Sequence, residues 1–312
     1  MSVFIKSLEL ASPLLLLTLL GYGLKKGRML DDDSCIAISR LVINLILPVN
    51  IFVSIYDSDF KSSFNLKMIL FIVISNFVVI VLMVILAHML TKDKKKLGAL
   101  CQAGVRGNYS IFGLPLAISI YGNKVAGPMA IAIAVLTAIY NVYSIGVFEH
   151  YEDGNISIGK QIINVLKTPI MIATVIGVAV NLLNIRIPNF LYQTLSYISK
   201  SITAISLINL GSSFNFRINK NLIKYVVIIL VFKLLFLPLV SLPAAVAIGL
   251  RNTELVVVLV TATVPIATSA FSTAVCYNTD IELTSSAVVY SYIVCGLTIP
   301  IFLSALFSMG LI

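Results

Sequence analysis

Apolar runs long enough to cross a lipid bilayer recur from one end of the chain to the other, and few folds can accommodate them. A spanning helix needs about 20 predominantly apolar residues. Ten segments read as spans, near 8–24, 34–55, 67–90, 97–121, 126–149, 161–184, 190–212, 222–249, 254–277 and 283–308. The connections are short, the longest hydrophilic ones being KKGRMLDDD (25–33), TKDKKK (91–96) and EHYEDGNIS (149–157). Of the 312 residues only 11% are charged, against about 25% in a soluble domain. Mean hydropathy is +1.03. No soluble core could hide this much apolar surface, and no hydrophilic stretch would make a separate soluble domain. The expected class is therefore an all-α integral membrane protein, since helices satisfy their backbone groups within one segment. The run after Lys6 leads straight into a helix without a small-residue cleavage site, so it reads as a span and not a signal peptide.

An even number of spans puts both termini on one side. Lys25, Lys26, Arg28, Lys92, Lys94, Lys95, Lys96, Lys160, Arg217, Lys220 and Lys224 fall on one side, and Lys6, Lys61, Lys67, Lys124, Arg186 and Arg251 on the other. Cytoplasmic loops carry the excess of Lys and Arg. The expectation is a multi-pass protein of the cell membrane with both termini extracytoplasmic. The net charge of +9 is thus accounted for by topology, and no nucleic-acid partner is expected. The cysteines (Cys35, Cys101, Cys276, Cys295) show no metal spacing, and His88 and His150 lie near span ends. No cofactor and no metal are expected. With no HExxH, no GxSxG and no paired mid-span aspartates, the chain does not read as an enzyme.

Ten spans divide into two sets of five, and an odd repeat unit inverts in the membrane. The expected repeats are residues 1–152 and 153–312. ISRLVIN (38–44) in span two pairs with ISKSITA (198–204) in span seven, and AISIYGN (117–123) in span four with TAVCYNT (273–279) in span nine. Spans four and nine also both contain helix breakers. The first holds RGNYSIFGLPLAISIYG (106–122), with a break expected near Gly107, Gly113 and Pro115; the second holds TATVPIATSAF (261–271), with Pro265 at mid-span. Irregular backbone survives at membrane depth only beside protein or a water-filled cavity. Interrupted helices in corresponding positions of two halves point to a transporter's binding site; ordinary proline kinks are the alternative.

A half-helix N-terminus offers unpaired N–H groups and partial positive charge to an anion. Asn108 can donate and accept hydrogen bonds there. Arg106 and Lys233 are intramembrane cations, each open to two readings: a charge partner for substrate, or a structural cation that holds the break in shape. Asn76, Asn141 and Asn209 are further mid-span polar residues that read first as helix–helix hydrogen bonds. The thirteen acidic residues all fall in loops or near span ends. With no mid-span carboxylate to relay cations or protons, the balance tips toward an anion site.

GNYSIFGLPLAISIYG (107–122) resembles the fourth span of the auxin efflux carrier family, which includes plant PIN-type carriers and bacterial malate and malonate permease-like members. LILPVNIFVSI (45–55), VFEHYE (147–152), KTPIMIATVIGVAVNLLNIRIP (167–188) and VPIATSAFSTAVCYNTDIELTSSAVVYSYIVCGLTIPIFL (264–303) are similar to its second, fifth, sixth, and ninth and tenth spans. The resemblance covers nearly the whole chain. It implies ten transmembrane helices in two inverted five-helix repeats, with broken helices four and nine crossing. Spans one, two, six and seven would form a scaffold, often a homodimer interface, and spans three to five and eight to ten a moving transport domain. By position, Asn108 matches the asparagine that contacts substrate carboxylate in plant members, and Pro265 the crossing proline, followed by Ile266 where plants have a polar residue. Gly107 replaces a plant proline, and Thr137 stands roughly at a plant glutamine. These departures argue against auxin and toward a small dicarboxylate. The expected function is elevator-like alternating-access transport of a small organic anion such as malate or malonate, with lipid the other partner. Its expected site comprises Arg106, Gly107, Asn108, Tyr109, Ser110, Pro115, Thr137, Asn141, Lys233, Pro265 and Ile266. A sodium-coupled symporter of the bile-acid type is the second expectation, and a non-transporting membrane sensor the third.

Overall fold

The computed structural model describes residues 3–57, 65–151, 167, 169–212, 219–267, 270, 274 and 279–312. Within these, regular structure is helical apart from one isolated β-bridge. The α-helices are α1 (Val3–Lys26), α2 (Asp32–Leu41), α3 (Leu47–Tyr56), α4 (Leu66–Leu90), α5 (Lys94–Val105), α6 (Leu114–Tyr121), α7 (Ala126–Tyr151), α8 (Pro169–Leu182), α9 (Asn189–Ser212), α10 (Ile223–Val231), α11 (Leu237–Ala247), α12 (Asn252–Thr263) and α13 (Ile281–Ser308). Four described segments are long and apolar enough to cross a membrane: Leu66–Leu90, Tyr109–Thr137, Lys220–Ala247 and Ile281–Ser308. The second of these turns at Gly122, whose φ of 72° lies in the left-handed region that favours glycine.

Helix α4 shows the pattern of a helix in contact with lipid. Asn65 caps its start, accepting from the Met68 N–H at 3.0 Å. The helix is apolar all round, which suits a buried or membrane helix and not the surface of a soluble protein. Met68, Ile72, Val79, Met83 and Ala87 face the protein, while Leu70, Ile74, Phe77, Val81, Ile85 and Met89 remain exposed. Exposed leucine, isoleucine and phenylalanine in unbroken rows would be an aggregation hazard in water and are the expected surface in a bilayer.

Three expected spans contain a Leu-Pro step that follows a π-turn, at Pro48, Pro115 and Pro238; a further step, Leu242-Pro243, lies within α11 without one. Proline lacks an N–H, and its ring crowds the carbonyl four residues back. Immediately before Pro48, Pro115 and Pro238 the helix widens into one π-turn, Val42–Ile46, Tyr109–Gly113 and Phe232–Phe236. In each, the leucine N–H bonds back five residues: Leu47 to Val42, Leu114 to Tyr109, Leu237 to Phe232. The helix therefore bends without ending. Gly113 and Pro115 consequently lie inside continuous helix, and the break in span four is confined to residues 106–108. The sequence pattern located the breaker residues but did not separate those that bend the helix from those that end it.

The most extensive helix pairs are α1 on α9, α3 on α8 and α1 on α13, with α3 also against α9. Helix α11 packs on α12, α4 on α5 and α10 on α13, so α13 joins α1 to the second set. Helices α1 and α9 approach closely because small residues face each other. A Cβ on Gly21 would lie 1.9 Å from the Ile208 carbonyl oxygen, and one on Gly211 would lie 1.7 Å from that of Thr18. Helices α5, α7, α12 and α13 supply much of the buried core around the interrupted helices.

Candidate functional site at the crossing of two interrupted helices

The first interrupted helix starts at Asp93, whose carboxylate accepts from the Lys95 N–H at 3.0 Å and the Lys96 N–H at 3.4 Å. The Lys96 ammonium, 3.1 Å away, holds the Asp93 carboxyl below its ordinary pKa. Helix α5 then runs inward until Arg106, which is extended at φ −76° and ψ 113°. Gly107 follows, and the Tyr109 ring occupies the space beside it: a Cβ would sit 2.6 Å from that ring, which would have to shift. Asn108 restarts the helix. Its Oδ1 accepts from the Ile111 N–H at 3.2 Å, making it the N-cap of the second half.

The second interrupted helix, α12, ends for a different reason. Val264 precedes Pro265, and a residue before proline is pushed out of the helical region. It is extended at φ −61° and ψ 147°. The two unwound segments then pair. Gly107 and Ile266 form an antiparallel β-bridge. The Asn108 N–H donates to the Pro265 carbonyl at 2.8 Å, and the Ala267 N–H donates to the Arg106 carbonyl at 3.1 Å. Each break thus satisfies backbone groups freed by the other, a requirement where lipid offers no alternative partner. Helix α13 adds a third set of contacts. The Ile266 N–H donates to Ser291 Oγ at 3.0 Å, and Asn108 Nδ2 donates to the Tyr292 hydroxyl at 2.6 Å.

Lys233 meets the crossing from α10 and α11, within the π-turn before Pro238. It is 0% exposed. Its Nζ donates to the Val105 carbonyl at 3.2 Å, at the C-terminal end of α5. The Tyr109 hydroxyl lies 3.4 Å from the same carbonyl and donates to the Tyr140 hydroxyl at 3.0 Å. Tyr140 in turn donates to Asn76 Oδ1 on α4. The Tyr109 and Tyr140 rings are stacked at 5.8 Å, and Lys233 Nζ stands 6.0 Å from the Tyr109 ring centroid. Among residues whose side chains are described, none of the buried ones is an aspartate or glutamate.

Most of the expected site residues therefore converge. Arg106, Gly107, Asn108, Tyr109, Lys233, Pro265 and Ile266 all take part in the crossing, and Ser110 and Pro115 lie on the half-helix that leaves it. Thr137 is half-buried on α7. The side chain of Asn141 lies outside the described residues. Asn108 is 5% exposed, so its side chain serves the crossing first and has one amide hydrogen left in its inventory. Asn76 makes the helix–helix hydrogen bond expected of it. Sequence reasoning missed Tyr140, Ser291 and Tyr292. Their signal was present in retrospect, because a tyrosine hydroxyl in the middle of an apolar span must find a partner.

Comparison with known proteins identifies the family. A family model described as "Membrane transport protein" matches residues 7–303. An uncharacterized transporter of Methanothermobacter thermautotrophicus is 26% identical over 304 residues, covering 96% of this chain and 98% of that protein. An uncharacterized transporter of Methanocaldococcus jannaschii is 23% identical over 285 residues, covering 88% and 90%. Apolar helices throughout the chain and a family match over nearly all of it make this a multi-pass membrane protein, and the chain belongs to the membrane transport protein family, that of the auxin efflux carriers and malate permease-like proteins, as a transporter and not an enzyme.

Proposed function

We propose that the protein is an alternating-access carrier of a small organic anion, a carboxylate or dicarboxylate such as malate or malonate, and that the anion binds at the crossing. The observation that carries this reading is the bridge between Gly107 and Ile266, flanked by two cations, Arg106 and Lys233, with no buried carboxylate among the described side chains. A half-helix N-terminus capped by Asn108 favours negative charge. The second amide hydrogen of Asn108, the Tyr109 and Ser110 N–H groups at the start of the second half-helix and the Arg106 guanidinium are the groups assigned to carboxylate; the Ile111 and Gly113 N–H groups are taken by Asn108 itself. Tyr109, Ser110, Pro115, Thr137, Asn141, Pro265 and Ile266 shape the space around it.

The reading extends to two inverted repeats, 1–152 and 153–312. The packing of α1 on α9 and of α3 on α8 and α9 supports a scaffold made from spans one, two, six and seven. The contacts among α4, α5, α10, α11, α12 and α13 support a separate transport unit that moves against it. The scaffold is the face proposed for a homodimer, and both termini are placed outside. A potential of 100 mV acts on each full charge with about 2.3 kcal/mol. An inside-negative cell therefore favours export of an uncoupled anion, and import of a dicarboxylate needs exchange or protons.

Solid-supported membrane electrophysiology on protein in liposomes tests the reading. The panel is malate, malonate, succinate, lactate, indole-3-acetate and a bile acid, each with and without sodium, followed by isotope uptake for electroneutral transport. Sodium-independent flux of one carboxylate, lost in folded Asn108→Ala, is the expected result. Sodium-dependent flux would replace it with the symporter. Flux unchanged in Asn108→Ala would move the substrate away from the crossing.

A further inference from the structure

Burying an ammonium without a carboxylate is strongly unfavourable unless other groups replace its water. Lys233 has such groups around it. Its Nζ donates to the Val105 carbonyl at 3.2 Å, faces the Tyr109 ring at 6.0 Å and is fully enclosed. Val105 is the last residue of α5, and the final carbonyls of a helix have no partner within it. They carry about half a negative elementary charge between them. A helix end cut short in mid-membrane is therefore a seat for a cation: carbonyl oxygen, aromatic face and negative dipole end, shielded from water. In discontinuous transporter helices such ends commonly coordinate a co-ion from solution.

Here the seat is filled from within the chain. The π-turn Phe232–Phe236 carries Lys233, and its neighbours Phe232 and Leu234 are buried with it. We propose that the Lys233 ammonium is a tethered cation that fills the carbonyl end of α5, so the crossing carries its own positive charge and takes no alkali cation from solution there. The dipole end balances only part of a unit charge, and Arg106 adds another cation one residue beyond Val105. This deepens the anion-carrier reading by assigning Lys233 to the helix end and not to the substrate. Its test contains no carboxylate, so its failure and the failure of that reading are separate observations.

The experiment is thermal unfolding of the full-length protein in detergent. The chain has no tryptophan, but its buried cysteines Cys35, Cys101 and Cys295 become reactive to a thiol-sensitive dye on unfolding. Wild type, Lys233→Ala and Lys233→Met are compared at equal ionic strength in choline, sodium, n-propylammonium and tetramethylammonium chloride. The expected result is a lowered transition in both variants. Propylammonium should restore at least half of the loss in Lys233→Ala, where the missing side chain leaves room. It should do nothing for Lys233→Met, where the apolar stem fills that room. Tetramethylammonium has no N–H to donate and should restore nothing. Wild type should unfold at the same temperature in sodium and in choline. A Lys233→Met protein as stable as wild type would overturn the proposal, as would a Lys233→Ala protein indifferent to propylammonium. If Lys233→Ala yields no folded protein, the wild-type comparison decides: equal transitions support a filled seat, and a rise specific to sodium overturns it.

Discussion

Asn108 joins more of the crossing than any other residue. Its backbone N–H holds Pro265, its Oδ1 caps the second half-helix, and its Nδ2 reaches Tyr292. Tyr292→Phe keeps the ring and its edge-on contact with Phe112 at 5.7 Å but removes the hydroxyl that accepts from Nδ2. Hydrogen bonds between membrane helices are worth about 0.6 kcal/mol on average and up to about 1.7 kcal/mol. Tyr292→Phe should cost an amount in that range in a reversible unfolding measurement. In the transport assay, the freed amide hydrogen should alter the apparent affinity for the anion more than the maximal rate. An unchanged affinity would mean that this amide never meets substrate. At the membrane surface Asp93 makes a separable prediction. Loss of an N-cap aspartate costs about 0.5–2 kcal/mol, so Asp93→Ala should lower stability at neutral pH. Its folded pKa lies below the ordinary 3.8. The stabilisation is therefore complete above 3.8 and is lost as pH falls through the lower, folded value. The gap between wild type and Asp93→Ala should close in that acidic window.

At the level of helices, two devices recur. One is the π-turn before Leu-Pro, which lets three spans bend while keeping their backbone bonded. The other is the close approach of α1 and α9 through Gly21 and Gly211. A Cβ at either glycine meets backbone, which cannot rotate away. Gly21→Ala and Gly211→Ala should each destabilise by about 1–3 kcal/mol or more, the range for overpacking. Gly23 lies on the same helix with nothing within 4 Å of its would-be Cβ. Gly23→Ala should be neutral or stabilise by up to about 1 kcal/mol, the difference in helix propensity. If all three substitutions behave alike in thermal unfolding, the α1–α9 contact is looser than the structure shows. Hydropathy located these helices well but could not tell a lipid-facing glycine from one at a helix contact, because both occur in equally apolar sequence.

For the molecule as a whole, the excess of Lys and Arg in alternate loops makes orientation testable. A single cysteine at Ile312→Cys, in a protein with its native cysteines replaced, should react with an impermeant maleimide from outside the cell. One at Lys94→Cys should react only after the membrane is opened. The reverse pattern would invert the topology and, with it, the inferred direction of transport. The sequence by itself determined that this chain is an all-helical membrane protein with several long apolar helices, and where two helices are interrupted, because lipid imposes length, apolarity and internal hydrogen bonding on every segment separately. It also singled out Arg106, Asn108 and Lys233 as polar groups at depth that need partners, and Pro265 as a helix breaker. Only the tertiary structure decided what they touch. The pairing of Gly107 with Ile266, the seat of Lys233 on the Val105 carbonyl, and the roles of Ser291 and Tyr292 join residues far apart in the chain. Such partners are chosen by how the helices pack, and a hydropathy pattern records how apolar each helix is but not which neighbour its polar groups face.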